Sequence, residues 1–387
     1  MRSHGRVLVA VGGAAALAFA AFACGSGASD AKPPADGVDA SPGPLANGHG
    51  ATTASLDCGG HGCGVKQIAL GTIAACALLE DSTVACYGGG IVGTLGRGER
   101  PAVDPIPQRV PLLKNVAGIF GGGYTMCALL TDKTVTCWGA DQSANPYGAR
   151  PGDLFAVEGF SGVVELAVAT SHTCARVESG EVYCFGSNYF GELGDGTLNN
   201  TKKPVKVASI SGAKHIATGA ELSCAVLGNG GVSCWGLNDQ GQLGLGSDKE
   251  THPMPVTIAG LDGPAKSVAA SSISGAVCAL LESGSTKCWG EKLAGAAATS
   301  GAVLAVGWNH ACVLDKSGAV SCWGASTKGQ LGNGPLRGPI NLATGGDSSC
   351  AVYGDGAFTC WGEDSRGQLG GGQAGSGRPG LPEARHF

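Results

Sequence analysis

The sequence predicts an all-β chain built from seven copies of one cross-linked hairpin, and three observations carry that prediction. Fourteen cysteines fall into seven pairs, each pair ten residues apart. They are Cys76 with Cys86, Cys127 with Cys137, Cys174 with Cys184, Cys224 with Cys234, Cys278 with Cys288, Cys312 with Cys322, and Cys350 with Cys360. An aromatic residue and a glycine follow the second cysteine every time: Tyr87-Gly88, Trp138-Gly139, Phe185-Gly186, Trp235-Gly236, Trp289-Gly290, Trp323-Gly324 and Trp361-Gly362. Charged residues make up only 14% of the chain and glycine 69 of its 387 residues, a composition that suits a turn-rich β protein.

The N-terminus comes first in the chain. Met1-Arg2-Ser3-His4-Gly5-Arg6 is a short cationic stretch, and Val7 to Ala23 is apolar and rich in alanine. That order reads as an export signal over 1–23, too short and too small-sided for a membrane span. Ala21-Phe22-Ala23-Cys24 then resembles a bacterial lipoprotein cleavage box, with Cys24 as the lipidated residue. Of 17 cysteines, Cys24 is the one left over from the seven pairs and from the close pair of Cys58 and Cys63. An odd cysteine in an exported chain needs an explanation, and acylation supplies one. Residues 24–57 are Gly, Ala, Ser, Pro and Asp with almost no large apolar side chains, which predicts a flexible tether. Residues 58–64 are expected to be a small loop, with Cys58 and Cys63 placed to bridge it. Zinc at Cys58, His61 and Cys63 is the competing reading; it lacks a fourth ligand, and no metal is expected.

Residues 65–387 hold the repeats, with first cysteines 51, 47, 50, 54, 34 and 38 residues apart. Between paired cysteines the chain reads as strand, turn, strand. Glu178-Ser179-Gly180, Gly228-Asn229-Gly230 and Gly354-Asp355-Gly356 stand at the turn, where positive φ is needed. Val84, Val135, Val182, Val232, Thr286, Val320 and Phe358 stand two before the second cysteine. These are strand formers on the cysteine's own face. In such a hairpin the two cysteines face each other with Cα atoms about 4.5–5.5 Å apart, within the range a disulfide spans. All seven pairs are therefore expected to be disulfides. A helix would hold residues ten apart about 15 Å from one another. Disulfides persist outside the reducing cytosol, in keeping with export.

Four copies continue into Gly191-Glu192-Leu193-Gly194, Gly241-Gln242-Leu243-Gly244, Gly329-Gln330-Leu331-Gly332 and Gly367-Gln368-Leu369-Gly370. Thr94-Leu95-Gly96 is a degenerate version. Together with Gly307-Trp308-Asn309-His310-Ala311-Cys312 and Cys322-Trp323-Gly324, this pattern resembles the repeat of the regulator of chromosome condensation family. The resemblance spans residues 65–387 and implies a seven-bladed β-propeller with four strands per blade. Seven cysteine pairs agree with that blade count. The segment Leu381 to Phe387 is expected to return and complete the first blade.

Function is less legible. The chain shows no G-x-S-x-G, H-E-x-x-H or phosphate-loop motif, so no catalytic residue and no cofactor is assigned and the chain is read as a non-enzyme. A net charge of −5, with no basic run, argues against a nucleic-acid surface. His172 and His310 share one repeat position, two before a cysteine, which reads as structural placement. The repeated aromatics read as core or inter-blade packing. Residues that do not repeat are the better candidates. Tyr124, Ser171, Glu221, Asn309 and Asp347 each stand three before a cysteine and by symmetry should ring one end of the central channel, with Trp308 beside Asn309. The irregular segment Asp141 to Phe155, with Tyr147, Arg150 and Phe155, is a second candidate, since aromatics and arginine anchor interfaces. The expectation is therefore a monomeric lipoprotein of the outer membrane or cell surface, held to the membrane through a lipid anchor only. Its propeller would bind a protein or a cell-envelope polymer. The resemblance also brings guanine-nucleotide exchange, because the family's founding member acts on a small GTPase, and inhibition of an extracellular enzyme. Polysaccharide cleavage is the remaining alternative.

Overall fold

The computed structural model describes residues 63–98, 102–139, 153–246, 248–290, 301–332 and 338–372, together with Leu293, Leu336, Ala374, Gly375 and His386. Cys24, the tether, Cys58 and His61 lie outside these residues. Cys63 is disulfide-bonded.

Seven antiparallel sheets follow one another along the chain, one per cysteine pair. The first holds β1 (Val65–Leu70), β2 (Ala74–Leu79), β3 (Val84–Gly89) and β4 (Val103–Arg109). The second holds β5 (Val116–Gly122), β6 (Thr125–Leu130), β7 (Val135–Gly139) and β8 (Phe155–Val157). The third holds β9 (Val163–Val168), β10 (His172–Val177), β11 (Val182–Gly186) and β12 (Thr201–Lys206). The fourth holds β13 (His215–Thr218), β14 (Leu222–Val226), β15 (Val232–Gly236) and β16 (His252–Thr257). Three strands each are described in the fifth, β17 (Ala265–Ala270), β18 (Val277–Leu281) and β19 (Thr286–Trp289), and in the sixth, β20 (Val303–Val306), β21 (His310–Leu314) and β22 (Val320–Gly324). The seventh has β23 (Pro339–Gly345), β24 (Ser348–Tyr353) and β25 (Phe358–Gly362). The first strands of all seven line one central channel. This is a seven-bladed β-propeller.

The short cysteine spacings of 34 and 38 residues fall on the fifth and sixth copies, two of the blades with three described strands. There the chain goes from the third strand to the next blade with little intervening sequence. The first blade draws its four strands from residues 65–109 alone, so it does not need the strand expected from Leu381 to Phe387. The ring closes by contact: Val65 N–H donates to Gly356 O at 2.9 Å, and Gly370 of the seventh blade lies under the Tyr87 ring.

Every one of the seven expected bridges is formed. Cys76 bonds Cys86, Cys127 bonds Cys137, Cys174 bonds Cys184, and Cys224 bonds Cys234. Cys278 bonds Cys288, Cys312 bonds Cys322, and Cys350 bonds Cys360. Each pair occupies directly opposed positions on its blade's second and third strands. The paired Cα atoms stand 4.0–4.1 Å apart, closer than the spacing expected of a regular opposed pair. The bridge is local because the hairpin is tight. Leu79 N–H donates to Thr83 O and Ser82 N–H to Leu79 O, a three-residue loop whose last residue takes positive φ. Glycine holds that position in five blades, whereas Ser82 (φ 61°) and Lys133 (φ 68°) hold it in the first two.

Apolar clusters form between blades. Leu78, Val84 and Leu95 of the first blade pack with Val116, Ile119 and Trp138 of the second, all buried. Phe155, a candidate interface anchor by sequence, is buried in β8 beside Val163, Leu166 and Phe185, so it is core; Tyr147 and Arg150 lie outside the described residues. Fully burying an aliphatic or aromatic side chain stabilises by about 1.5–3 kcal/mol. The aromatic of the aromatic-glycine pair also carries a directed bond. Trp138 Nε1 donates to Thr94 O, Trp235 to Glu192 O, Trp289 to Gln242 O and Trp361 to Gln330 O, at 2.8–3.0 Å. Every acceptor lies in the preceding blade, at the second residue of the Gly-Gln-Leu-Gly motif or its equivalent. That motif and the tryptophan are two halves of one inter-blade clamp.

Candidate functional site

The loop between a blade's first and second strands defines one end of the channel. The aromatic-glycine pairs fix its position. Gly186 has φ 120°, and a Cβ there would stand 2.6 Å from Ser171 O. The third strand can take the loop carbonyl so closely only because it lacks a side chain at this point. The next residue then bonds that carbonyl: Ser187 N–H to Ser171 O, Leu237 to Glu221, Ala325 to Asn309 and Glu363 to Asp347, at 2.8–3.0 Å. The acceptors are the residues read from sequence as candidates. Their backbone is locked to the blade, and their side chains are half-buried at the mouth.

The loops are also tied sideways, blade to blade. Thr72 N–H donates to Gly123 O, Ala220 N–H to Ser271 O and Trp308 N–H to Gly346 O. Ser171 Oγ donates to Ala220 O at 3.3 Å and Ser271 Oγ to Trp308 O at 2.7 Å. The result is a belt around the channel mouth. Inside it Gly71, Gly122, Gly307 and Gly345 line a neck of about 60 Å³, which opens on the other side into a cavity of about 310 Å³ walled by the first strands.

On this belt the structure brings together Tyr124 from the second blade, Ser171 from the third, Glu221 from the fourth, Trp308 and Asn309 from the sixth and Asp347 from the seventh. Tyr124 is exposed and the other five are half-buried. Asn309 Oδ1 is buried with no hydrogen-bond partner. Burial and nearby acids push the carboxyls of Glu221 and Asp347 above the usual range. Glu192 and Asp239 are the acids beside Glu221, and Glu363 is the acid beside Asp347. Asp347 also accepts from Gln330 Nε2 at 3.2 Å, and Lys328 pairs with Glu363 at 2.9 Å. The mouth is thus acidic, with two aromatic side chains among the carboxylates.

His172 and His310 are not part of this surface. Both are fully buried, and each Nε2 lies 2.8 Å from a serine hydroxyl of the next blade, Ser223 or Ser349. Those hydroxyls donate onward to Glu192 O and Gln330 O, so the imidazole is the donor and stays neutral. Burial drives His172 down to about 3 and His310 to about 4. These are joints between blades, as their shared repeat position suggests.

At the far end of the cavity the first strands carry a second polar set. Glu165 accepts from Arg176 Nε at 2.7 Å and from Ile216 N–H of the next blade at 3.3 Å, while Gln67 bonds both the N–H and the C=O of Ile119. These side chains satisfy inner-strand backbone across blade seams.

The sequence reading passed over Glu192. It stands where three other copies carry glutamine, and that single exchange was the available signal.

Comparison with known proteins agrees with the repeat. The regulator of chromosome condensation (RCC1) repeat matches residues 179–226 and 229–277, and a second form of it matches 163–192, 213–242 and 304–330. Human E3 ubiquitin-protein ligase HERC2 is 30% identical over 141 residues, 34% of this chain and 3% of that protein. The bovine secretion-regulating guanine nucleotide exchange factor is 30% identical over 146 residues, 34% of this chain and 31% of that protein. The chain thus spans less than a third of either relative. Among solved structures, human WBSCR16 superposes with a TM-score of 0.63 at 20% identity, covering 73% of this chain and 85% of that one. Propellers of this kind are protein-binding or exchange-factor modules. Repeat matches, blade count and the clamp between blades give one conclusion: residues 163–277 and 304–330 carry regulator of chromosome condensation repeats, set in a seven-bladed propeller.

Proposed function

We propose that this propeller is a non-catalytic binding module that takes a protein partner on the belt at the channel mouth. The observation that carries the reading is the convergence there of Tyr124, Ser171, Glu221, Trp308, Asn309 and Asp347. They come from five blades onto loops whose backbone is fixed by bonds within and between blades. A rigid frame holding non-repeating side chains loses little entropy on binding. Tyr and Trp supply contact area, and the carboxylates favour a partner with basic side chains at its contact.

The same reading places the module outside the cytosol, carried on a lipid at Cys24. Seven disulfides support it, since they are stable only in an oxidising compartment. Capture from envelope extracts, with the intact propeller against a triple variant carrying Tyr124→Ala, Trp308→Ala and Asn309→Ala, tests the face. A partner retained by the first and lost by the second supports it, and equal recovery removes it. Protease treatment of the extract before capture separates a protein from an envelope polymer. Mass analysis of the mature N-terminus tests lipidation at Cys24.

The name of the bovine relative brings a second reading, nucleotide exchange on a small GTPase. Release of a fluorescent guanine nucleotide from a panel of small GTPases decides it, and acceleration by the propeller would replace the passive-binding reading.

A further inference from the structure

The sixth blade is open at the rim where its sisters are closed. Its third strand, β22, pairs with β21 alone. In the first four blades a fourth strand lies against the third and covers it. Every residue of β3 and β15 is buried, and all but one in each of β7 and β11. In β22 none is: Ser321 and Gly324 are exposed, and Val320, Cys322 and Trp323 are half-buried. The other blades with three described strands differ from it. β25 is buried throughout, and β19 keeps Thr286 and Cys288 buried. The reason lies in the length of the connection. Gly194 stands 30 residues before the next blade's first cysteine, Cys224, and Gly244 stands 34 before Cys278, but Gly332 stands only 18 before Cys350. The shortfall is enough for a strand and its turn.

This edge has a defined chemistry. Opposed residues as close as Cys312 and Cys322, 4.1 Å between Cα atoms, form a non-hydrogen-bonded pair, so their N–H and C=O groups point away from each other. Cys322 therefore turns its backbone donor and acceptor to the rim, and with a period of two so do Val320 and Gly324. In sister blades such groups are taken. Val84 O, Val182 O and Val232 O accept from Val110, Val207 and Ile258 N–H at 2.8–2.9 Å, just past β4, β12 and β16. No backbone N–H among the described residues meets Val320 O. Exposed edges are usually blunted by proline or charge, as these three fourth strands are by Pro105, Pro107, Pro204, Pro253 and Pro255. β22 carries neither.

The sister blades also show what fits. Val205 and Val256, each preceded by proline, stand opposite Cys184 and Cys234, and Phe155 stands opposite Cys137. The complement of Cys322 is thus an apolar residue on an extended antiparallel strand. Charge marks the end of that strand. In the first and third blades the fourth strand closes on a cation, Arg109 or Lys206, which pairs with Asp81 or Glu181 at the hairpin turn. The sixth turn presents the opposite sign. Asp315 is taken up by Ser317 N–H, Ser317 Oγ and Ala319 N–H, while Lys316 is exposed and enters no ion pair among the described residues. An acidic side chain is the complement there.

We propose that β22 is a docking edge for an extended segment of a partner protein, which adds antiparallel as the blade's fourth strand, with an apolar residue opposite Cys322 and an acid toward Lys316. Main-chain bonds to Val320, Cys322 and Gly324 supply the affinity, and the two side chains select the segment. The edge lies on the outer rim, and the inference holds whether or not the channel mouth binds a protein.

The test uses the full, disulfide-bonded chain and a fluorescein-labelled peptide of residues 250–259, the β16 segment, carrying Thr257→Glu. The protein's own β16 stays seated, because a tethered strand outcompetes a free one. Fluorescence polarisation should show saturable binding, and hydrogen exchange read by mass spectrometry should slow across Val320–Gly324. Methylating the Val256 amide nitrogen of the peptide removes the donor to Cys322 O, leaves the protein untouched and should weaken binding about tenfold. Thr257→Lys in place of Thr257→Glu should weaken it about two- to fivefold at low salt. No binding at millimolar peptide, binding that leaves β22 exchange unchanged, or equal binding of the methylated peptide overturns the proposal. A free chain that sediments as a dimer, with β22 already protected and released by the peptide, overturns it in favour of a second copy at this edge.

Discussion

Removing one bridge tests the architecture most directly, and the bond between Cys224 and Cys234 is the cleanest choice. Both sulfurs are buried, they face each other across β14 and β15, and their blade has all four strands described. Alanine at both positions is preferred to serine, which would strand two hydroxyls in a dry core. The closed loop spans ten residues, for which the chain-entropy relation gives about 2.7 kcal/mol at 25 °C. The hairpin itself keeps its turn bonds, Leu227 N–H to Gly231 O and Gly230 N–H to Leu227 O, so the loss falls on the unfolded chain and the native fold survives. Urea denaturation followed by tryptophan fluorescence and far-UV circular dichroism measures it, provided the two transitions coincide. A loss of about 2–3 kcal/mol is expected. Summed over seven independent bridges the same relation gives roughly 19 kcal/mol, more than the 5–15 kcal/mol a folded domain usually has in hand. The fully reduced chain should therefore fail to refold where single-bridge variants succeed. A loss below about 1 kcal/mol for the double alanine variant, against the relation's larger figure, would refute the reasoning. So would thiols that react with maleimide in the unreduced protein.

Three further outcomes follow from particular contacts. Ser82→Gly relieves a positive φ that five sister blades assign to glycine, and should raise stability by about 0.5–1 kcal/mol in the same urea assay. Trp361→Phe removes the indole N–H that meets Gln330 O at 2.8 Å while the Ser349 hydroxyl still donates to that carbonyl, so the cost is about 0.5–1.5 kcal/mol, and an unchanged midpoint would show the clamp is only packing. The histidine joints set a pH dependence. His172 and His310 stay neutral in the fold, with values lowered to about 3 and about 4 from 6.5, so the unfolded chain binds the proton first. Stability is complete above pH 6.5 and falls as pH drops toward 4, by about 1.4 kcal/mol per unit for each histidine. His310→Thr, a residue the second blade carries there as Thr125, should remove one histidine's share of the slope; parallel curves for variant and wild type would contradict it.

The repeated features were legible from sequence and the single ones were not, for a physical reason. A ten-residue cysteine spacing has one strand geometry that satisfies it, and seven instances leave no other fold class. The aromatic-glycine pair could be assigned to packing, but its partner could not. Trp235 Nε1 bonds Glu192 O, 43 residues away, and only the wheel brings them together. Phe155 read as an interface anchor because its segment lacks periodicity, yet it belongs to a three-residue strand too short to show alternation. The candidate ring was reached by counting back three from each cysteine. That works because the loop carbonyl at that position is held by the residue after each aromatic-glycine pair, which fixes the loops in a common register.

Repetition also supplies a reference that a single-copy fold lacks. Where seven sites solve one packing problem, the common solution shows what the backbone demands, and a departure shows what it merely allows. Ser82 and Lys133 depart at the hairpin turn and keep the same geometry at a cost in strain. Glu192 departs at the clamp and keeps the anchoring bond, but it replaces a neutral donor with an acid beside Glu221. The first kind of departure lowers stability and changes nothing at the mouth. The second alters the charge of the mouth itself, in the sector where Ser171 and Glu221 meet. Three sister blades carry glutamine at that position, so the backbone does not require an acid there, and the difference directs the search for a partner to the seam between the third and fourth blades.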